Sequence, residues 1–174
     1  MRFIDEAVIE ISSGDGGNGC LSFRREKFIP KGGPDGGDGG KGGNINFIAK
    51  DSLHTLQDFK LKRKYKAQNG RQGKGKNMHG KDGIDTLLEV PMGTMLINDE
   101  TDELLCDLIN TNQIYTAVRG GQGGLGNARF KSSTNRAPRK TTEGKNGEII
   151  KVRLELKVLA DVGLLGKPNA GKST

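Results

Sequence analysis

The sequence predicts a mainly β body carrying short polyproline-II helices, followed by the opening strand and phosphate loop of an α/β nucleotide-binding unit. Three observations predict it: 28 glycines among 174 residues, strict two-residue alternation after Glu148, and a glycine–lysine loop at Gly166 to Ser173. The glycine share is about 16%, more than twice the usual ~7%. Hydrophobic residues reach only 32%, and tryptophan is absent. A large, conventionally packed core over the whole length is thereby excluded, because glycine has almost no apolar area to bury. Collagen is excluded too, since it needs glycine at every third position throughout.

Taken in order, Ile45 to Ala49, Ile84 to Val90, Met92 to Ile97 and Ile114 to Arg119 read as short, partly alternating strands. Leu104 to Ile109 fits one helical turn or a strand equally well. Ile150 to Val158 is the cleanest element. Its Ile150, Val152, Leu154, Leu156 and Val158 share one face, and Lys151, Arg153, Glu155 and Lys157 the other. Such a strand has one wet face. No run with a 3.6-residue period precedes residue 158.

The glycine-rich stretches between strands have internal order. Gly33, Gly36, Gly39 and Gly42 recur every third residue, as do Gly120, Gly123 and Gly126 and the pairs Gly70/Gly73 and Gly80/Gly83. Polyproline II has three residues per turn, so this spacing leaves one bare edge along each helix. Bare edges allow close backbone packing, which predicts a bundle of such helices joined to a β-barrel or sandwich. After Leu156 the chain turns continuously apolar, as a strand buried on both faces does. The expected division is 1–157 for the first unit and 158–174 for the start of a second.

Charge is sorted along the chain. The total is 28 basic against 21 acidic residues, or +7. Lys60 to Asp82 holds nine Lys/Arg and one acid, and Arg129 to Lys145 six and one, whereas Ile84 to Asn110 has seven acids and no base. Sorting of this kind points to a polyanionic partner met by particular loops. The acidic N-terminus lacks the apolar run of a signal peptide, and no stretch has the length of a membrane span. Cys20 and Cys106 make neither a metal-spacing pair nor a disulfide framework. The expectation is a cytoplasmic, monomeric protein.

Gly166-Lys167-Pro168-Asn169-Ala170-Gly171-Lys172-Ser173 fits G-x-x-x-x-G-K-[ST]. The pattern calls for backbone N–H groups turned inward at phosphates, with Lys172 reaching the β- and γ-phosphates and the Ser173 hydroxyl ligating Mg²⁺. Thr174 continues the loop. No second Mg²⁺-binding acid, switch segment or base-recognition loop accompanies it, so the 174 residues alone are expected to turn over no nucleotide. His54 and His79 have no Cys or acid at ligand spacing, and Ser22, Ser132 and Ser133 carry no nucleophile signature. Phe23, Phe28, Phe59, Tyr65 and Phe130 neighbour basic residues and read as local core anchors rather than as RNA-stacking groups.

Several segments together resemble the Obg/CgtA family of bacterial ribosome-associated GTPases. They are Gly14-Asp15-Gly16-Gly17-Asn18-Gly19-Cys20, Phe23-Arg24-Arg25-Glu26-Lys27, Pro30 to Gly40, Val90-Pro91-Met92-Gly93-Thr94, Gly123 to Asn127 and Leu156 to Thr174. The resemblance implies an Obg fold, glycine-rich polyproline-II helices on a β-barrel, and then a Ras-like GTPase domain. It further implies GTP and GDP as ligands, Mg²⁺, a role in large-ribosomal-subunit maturation and stress response, and (p)ppGpp binding. The family's phosphate loop is matched at Gly166 to Ser173. Ribosomal RNA is a polyanion, so Lys62, Arg63, Lys64, Arg71, Lys74 and Lys76, with Arg136, Arg139 and Lys140, are expected to contact its phosphates. The competing expectation is a non-enzymatic RNA-binding or scaffold module.

Overall fold

The computed structural model describes residues 4–27 and 32–157. Among the described residues, eight strands form two sheets that wrap one core as a barrel-like sandwich. In chain order they are β1 (Ile4–Ser12), β2 (Ile45–Lys50), β3 (Lys64–Lys66), β4 (Thr86–Pro91), β5 (Thr94–Asn98), β6 (Leu104–Leu108), β7 (Ile114–Val118) and β8 (Ile149–Lys157). A five-residue helix, α1 (Gln57–Leu61), lies between β2 and β3. One sheet has the order β3-β1-β8-β5-β6 and the other β4-β2-β7.

The alternating strand behaves as its pattern demands. In β8, Val152, Leu154 and Leu156 are buried. They pair antiparallel with β1, Val152 opposite Ile9 and Leu154 opposite Ala7. Ile9, Phe47, Val90, Leu96, Leu108 and Leu154 belong to the shared core of both sheets. Leu104–Leu108, ambiguous in sequence, is a strand because it pairs with β5. β1 alternates in burial, with Ala7, Ile9 and Ile11 inward, but its sequence does not show it cleanly because the outward Val8, 40% exposed, is apolar. Asp5 closes that end. Its Oδ2 accepts from the Leu56 N–H at 2.7 Å and the Thr55 hydroxyl at 3.0 Å, anchoring α1.

Beyond the barrel the described chain forms six extended glycine-rich segments, 14–20, 36–43, 67–74, 80–83, 120–127 and 142–147. Their hydrogen bonds recur every third residue. Gly14, Gly17 and Cys20 donate to the carbonyls of Gly43, Gly40 and Gly37. Gly37, Gly40 and Gly43 donate in turn to Lys74, Arg71 and Gln68, and Gly121, Gly124 and Asn127 to Gly14, Gly17 and Cys20. A three-residue ladder is the signature of polyproline-II helices bonded side to side. Side chains close the bundle's flank at the same period: Asp82 accepts from the Lys41 N–H and Asp85 from the Asn44 N–H, both at 2.7 Å.

The glycine pattern is richer than one bare edge per helix. A Cβ on Gly36, Gly39 or Gly42 would overlap the carbonyls of Cys20, Gly17 or Gly14, whereas one on Gly37, Gly40 or Gly43 would overlap those of Met78, Lys81 or Ile84. Glycine doublets therefore give segment 36–43 two bare edges, one against 14–20 and one against the chain at 78–84. Segment 14–20 likewise turns Gly14 and Gly17 to segment 67–74, and Gly16 and Gly19 to segment 120–127. Gly33 is the exception, because its Cβ would meet only the Lys131 Nζ at 3.9 Å. It lies outside the bundle although it keeps the spacing.

Candidate nucleic-acid interface

The bundle carries loops to the end remote from the barrel, and polar side chains hold them together there. Asn127 opens a short 3-10 helix, Asn127–Phe130, and is fully buried. Its Oδ1 accepts from the Gly36 N–H at 2.9 Å and the Ser22 N–H at 3.4 Å. Its Nδ2 donates to the carbonyls of Ser22 and Pro138. One amide thus joins three loops. Asp38 does similar work: Oδ1 accepts from the Gly126 N–H, and Oδ2 pairs with the Arg129 guanidinium at 2.9 Å. Burial by itself raises the Asp38 pKa, but Gly126, Arg129 and His79 outweigh it, so the carboxyl titrates below its ordinary value.

Asp35 pins the turn after segment 67–74. Its Oδ2 accepts from the Lys76 N–H at 3.0 Å and its carbonyl from the Asn77 N–H. Lys76 and Asn77 have φ of 60° and 56°, left-handed backbone that costs roughly 1–2 kcal/mol per residue. The Asp35 bonds offset that strain.

The nine cations expected from sequence at an RNA surface fall into separate groups. Lys74 and Lys76 sit at this tip, and so do Arg136, Arg139 and Lys140 on the loop between the 3-10 helix and segment 142–147. All five are exposed. Lys140 Nζ lies 5.4 Å from the Phe130 ring centre. Arg71 is exposed on the flank of the bundle. Lys62, Arg63 and Lys64 lie at the barrel instead, at the start of β3. From Lys64 to Lys74 the chain runs extended and beside β1 and segment 14–20. Ten residues at about 3.1–3.3 Å each separate the two groups by roughly 30 Å. The barrel cations also have local partners: Lys62 stands 4.9 Å over the Tyr65 ring, and Lys64 pairs with Glu10 at 3.2 Å.

Arg24 and Arg25 join the tip, a pair that charge counting over longer windows passed over. Arg24 forms a two-pronged bond to Glu26, at 2.9 and 3.0 Å, which lowers the Glu26 pKa and raises that of Arg24. Arg25 and Arg139 line one cavity with Leu21 and Phe23. Among the aromatics, Phe59 is buried and packs on Tyr65 with ring centres 5.7 Å apart, as core anchors do. Phe23 and Phe130 are only half-buried at the tip. Phe28 and the phosphate loop, Gly166 to Thr174, lie outside the described residues, as does the whole 158–174 unit.

Among the described residues, no group of His, Cys, Asp and Glu is placed to hold a metal ion, and no helix is long and apolar enough to cross a membrane. Chemically the tip is a cation-rich surface with small clefts. It offers phosphate-binding groups.

Comparison with known proteins fits this architecture. The family model described as GTP1/OBG matches residues 4–158. The chain is 60% identical over 174 residues to "GTPase Obg" of Caldanaerobacter subterraneus subsp. tengcongensis (strain DSM 15242 / JCM 11007 / NBRC 100824 / MB4), covering 100% of this chain and 41% of that protein. It is 59% identical over 172 residues to "GTPase Obg" of Thermoanaerobacter sp. (strain X514), covering 99% of this chain and again 41% of the relative. The chain therefore spans about two fifths of the length of these relatives. With the family model reaching from β1 past the end of β8, and the matches to both relatives spanning nearly the whole chain, the chain belongs to the GTP1/OBG family.

Proposed function

We propose that the chain is part of a cytoplasmic GTP-hydrolysing protein that acts in large-ribosomal-subunit assembly and growth or stress control, with the bundle tip as its RNA-contacting surface. The observation that carries the RNA assignment is the cationic tip itself: Arg25, Lys74, Lys76, Arg136, Arg139 and Lys140 crowd one end of a backbone-packed bundle. A preorganised arm enters a narrow RNA cleft with little ordering cost. Family membership and the relatives' name support the GTPase assignment.

On this reading Gly166 to Thr174 hold the nucleotide. Glycines at 166 and 171 fit close backbone approach to phosphates, and Lys172 supplies a cation. Bound Mg²⁺, with the Ser173 hydroxyl as one ligand, would neutralise phosphate charge. The same loop is the place for the diphosphate of (p)ppGpp. The 174 residues alone contain neither D-x-x-G nor N-K-x-D, so they are expected to turn over no GTP.

The test uses the full-length protein. It should hydrolyse GTP and sediment with isolated large subunits, and K172A should abolish hydrolysis. Absence of GTP turnover in the presence of Mg²⁺ and large subunits would contradict the GTPase assignment. Absence of subunit binding at low salt would contradict the RNA assignment.

A further inference from the structure

At the tip, two arginines share one cavity that has no acid in its wall. The cavity, of ≈ 390 Å³, is lined by Leu21, Ser22, Phe23, Arg25 and Arg139, and its size is that of a ligand site. Both arginines are exposed, and among the described residues neither guanidinium has a hydrogen-bond or ion-pair partner. Other cavities mix their charges. One sets Glu26 and Asp35 against Arg24, Arg25 and Lys76, and another sets Asp82 and Asp85 against Lys41 and Arg119. Two unpaired like charges at one cavity repel, and an anion placed between them is attracted by both.

The fold ties the two walls together. Arg25 follows the bridge between Phe23 and Pro34 and the bond from the Arg24 N–H to the Gly33 carbonyl at 3.0 Å. Arg139 follows Pro138, whose carbonyl accepts from Asn127 Nδ2. The same Nδ2 donates to the Ser22 carbonyl, and Asn127 Oδ1 accepts from the Ser22 N–H. One buried amide therefore joins the loop that carries Arg25 to the loop that carries Arg139. A guanidinium fork matches the oxygens of a phosphate. Leu21, which is 51% exposed, and the half-buried Phe23 add an apolar wall that a bare anion would leave uncovered. The ligand thus joins a phosphate to a flat, partly apolar group.

We infer that Arg25 and Arg139 together clamp one phosphate of an unpaired RNA strand, with the attached nucleoside lying against Leu21 and Phe23. This rests on the proposed RNA contact and specifies its form. Arg136 and Lys140, on the same loop as Arg139, meet the neighbouring phosphates. In a duplex the base is already paired and stacked, so phosphate and base cannot enter one cavity together. An unpaired nucleotide can be splayed out to do so.

The experiment titrates the full-length protein with labelled oligo(U), and with an RNA duplex of equal length, across a salt series. R25Q and R139Q, at exposed positions with no partner to lose, should each weaken oligo(U) binding about tenfold. One phosphate needs both forks, so R25Q/R139Q should lose little more than either single variant. R25Q/K74Q joins the clamp to a separate cation, so its loss should be the product of the two single losses. L21S should weaken binding with the wild-type salt slope, since an apolar contact releases no counterion. Unchanged binding in R25Q, R139Q or L21S, or multiplied losses in R25Q/R139Q, overturns the inference while leaving the RNA contact standing. Duplex binding as tight as oligo(U) binding does the same. Displacement of labelled oligo(U) by UMP as efficient as by unlabelled oligo(U), at matched nucleotide concentration, assigns the clamp to free nucleotides and overturns the strand form. Equally efficient displacement by oligoglutamate overturns the phosphate assignment. No binding of any RNA overturns the inference and the RNA contact together.

Discussion

Asn127 and Asp38 each satisfy backbone groups from loops distant in sequence. Removing the Asn127 amide leaves the N–H groups of Gly36 and Ser22 and two carbonyls facing a small void. N127A is expected to destabilise the body by about 2–4 kcal/mol in urea unfolding, since several buried partners lose their bonds together. Asp38 makes a pH prediction. Its folded pKa is lowered, so its stabilisation is complete above the unfolded value and disappears as pH falls through the folded value. Unfolding free energy should therefore drop as pH falls below about 4, and D38N should flatten that part of the profile. A D38N curve parallel to wild type there would contradict the assignment. Asp38 gave no sign of this role in sequence. It stands in a glycine run where an acid reads as a solvated spacer, and only the fold brings Gly126 and Arg129 to it.

At the scale of elements, the barrel strands and the bundle were legible to different degrees. β8 was plain from alternation because it has one wet face and one dry. β1 was hidden, since Val8 breaks the period, and β3 is too short to show one. The three-residue glycine spacing foretold the bundle, because the repeat and the helix share a period. It did not reveal the second bare edge, which requires knowing that each central helix has neighbours on several sides. Gly33 marks the limit of spacing as evidence. G39A should cost about 3 kcal/mol or more, because its Cβ overlaps the Gly17 carbonyl and backbone on both sides must move. G33A keeps the same spacing yet should stay within about 0.5 kcal/mol. Similar losses from both substitutions, measured by thermal or urea unfolding, would mean that the bundle is not packed as described.

For the molecule as a whole, we propose that a backbone-packed arm presents a cationic tip to RNA, with the barrel as its mount. Charge counting found the basic stretches but could not tell that Lys62 to Lys64 lie roughly 30 Å from Lys74 along the extended chain. Nor did it pick out Arg24 and Arg25, because the stretch from Arg24 to Asp38 sums to only +1 once Glu26, Asp35 and Asp38 are counted against its four bases. The fold separates what the sequence had grouped. Binding to large subunits should accordingly depend on the tip and fall steeply with salt, as phosphate contacts release counterions. The most direct measurement compares two charge-reversal variants of the full-length protein in co-sedimentation with isolated large subunits across a salt series. R136E/R139E/K140E should lose at least about tenfold in affinity and show a shallower salt slope, while K62E/R63E/K64E keeps the wild-type slope. Wild-type binding by the tip variant, or equal loss from both, would contradict the account.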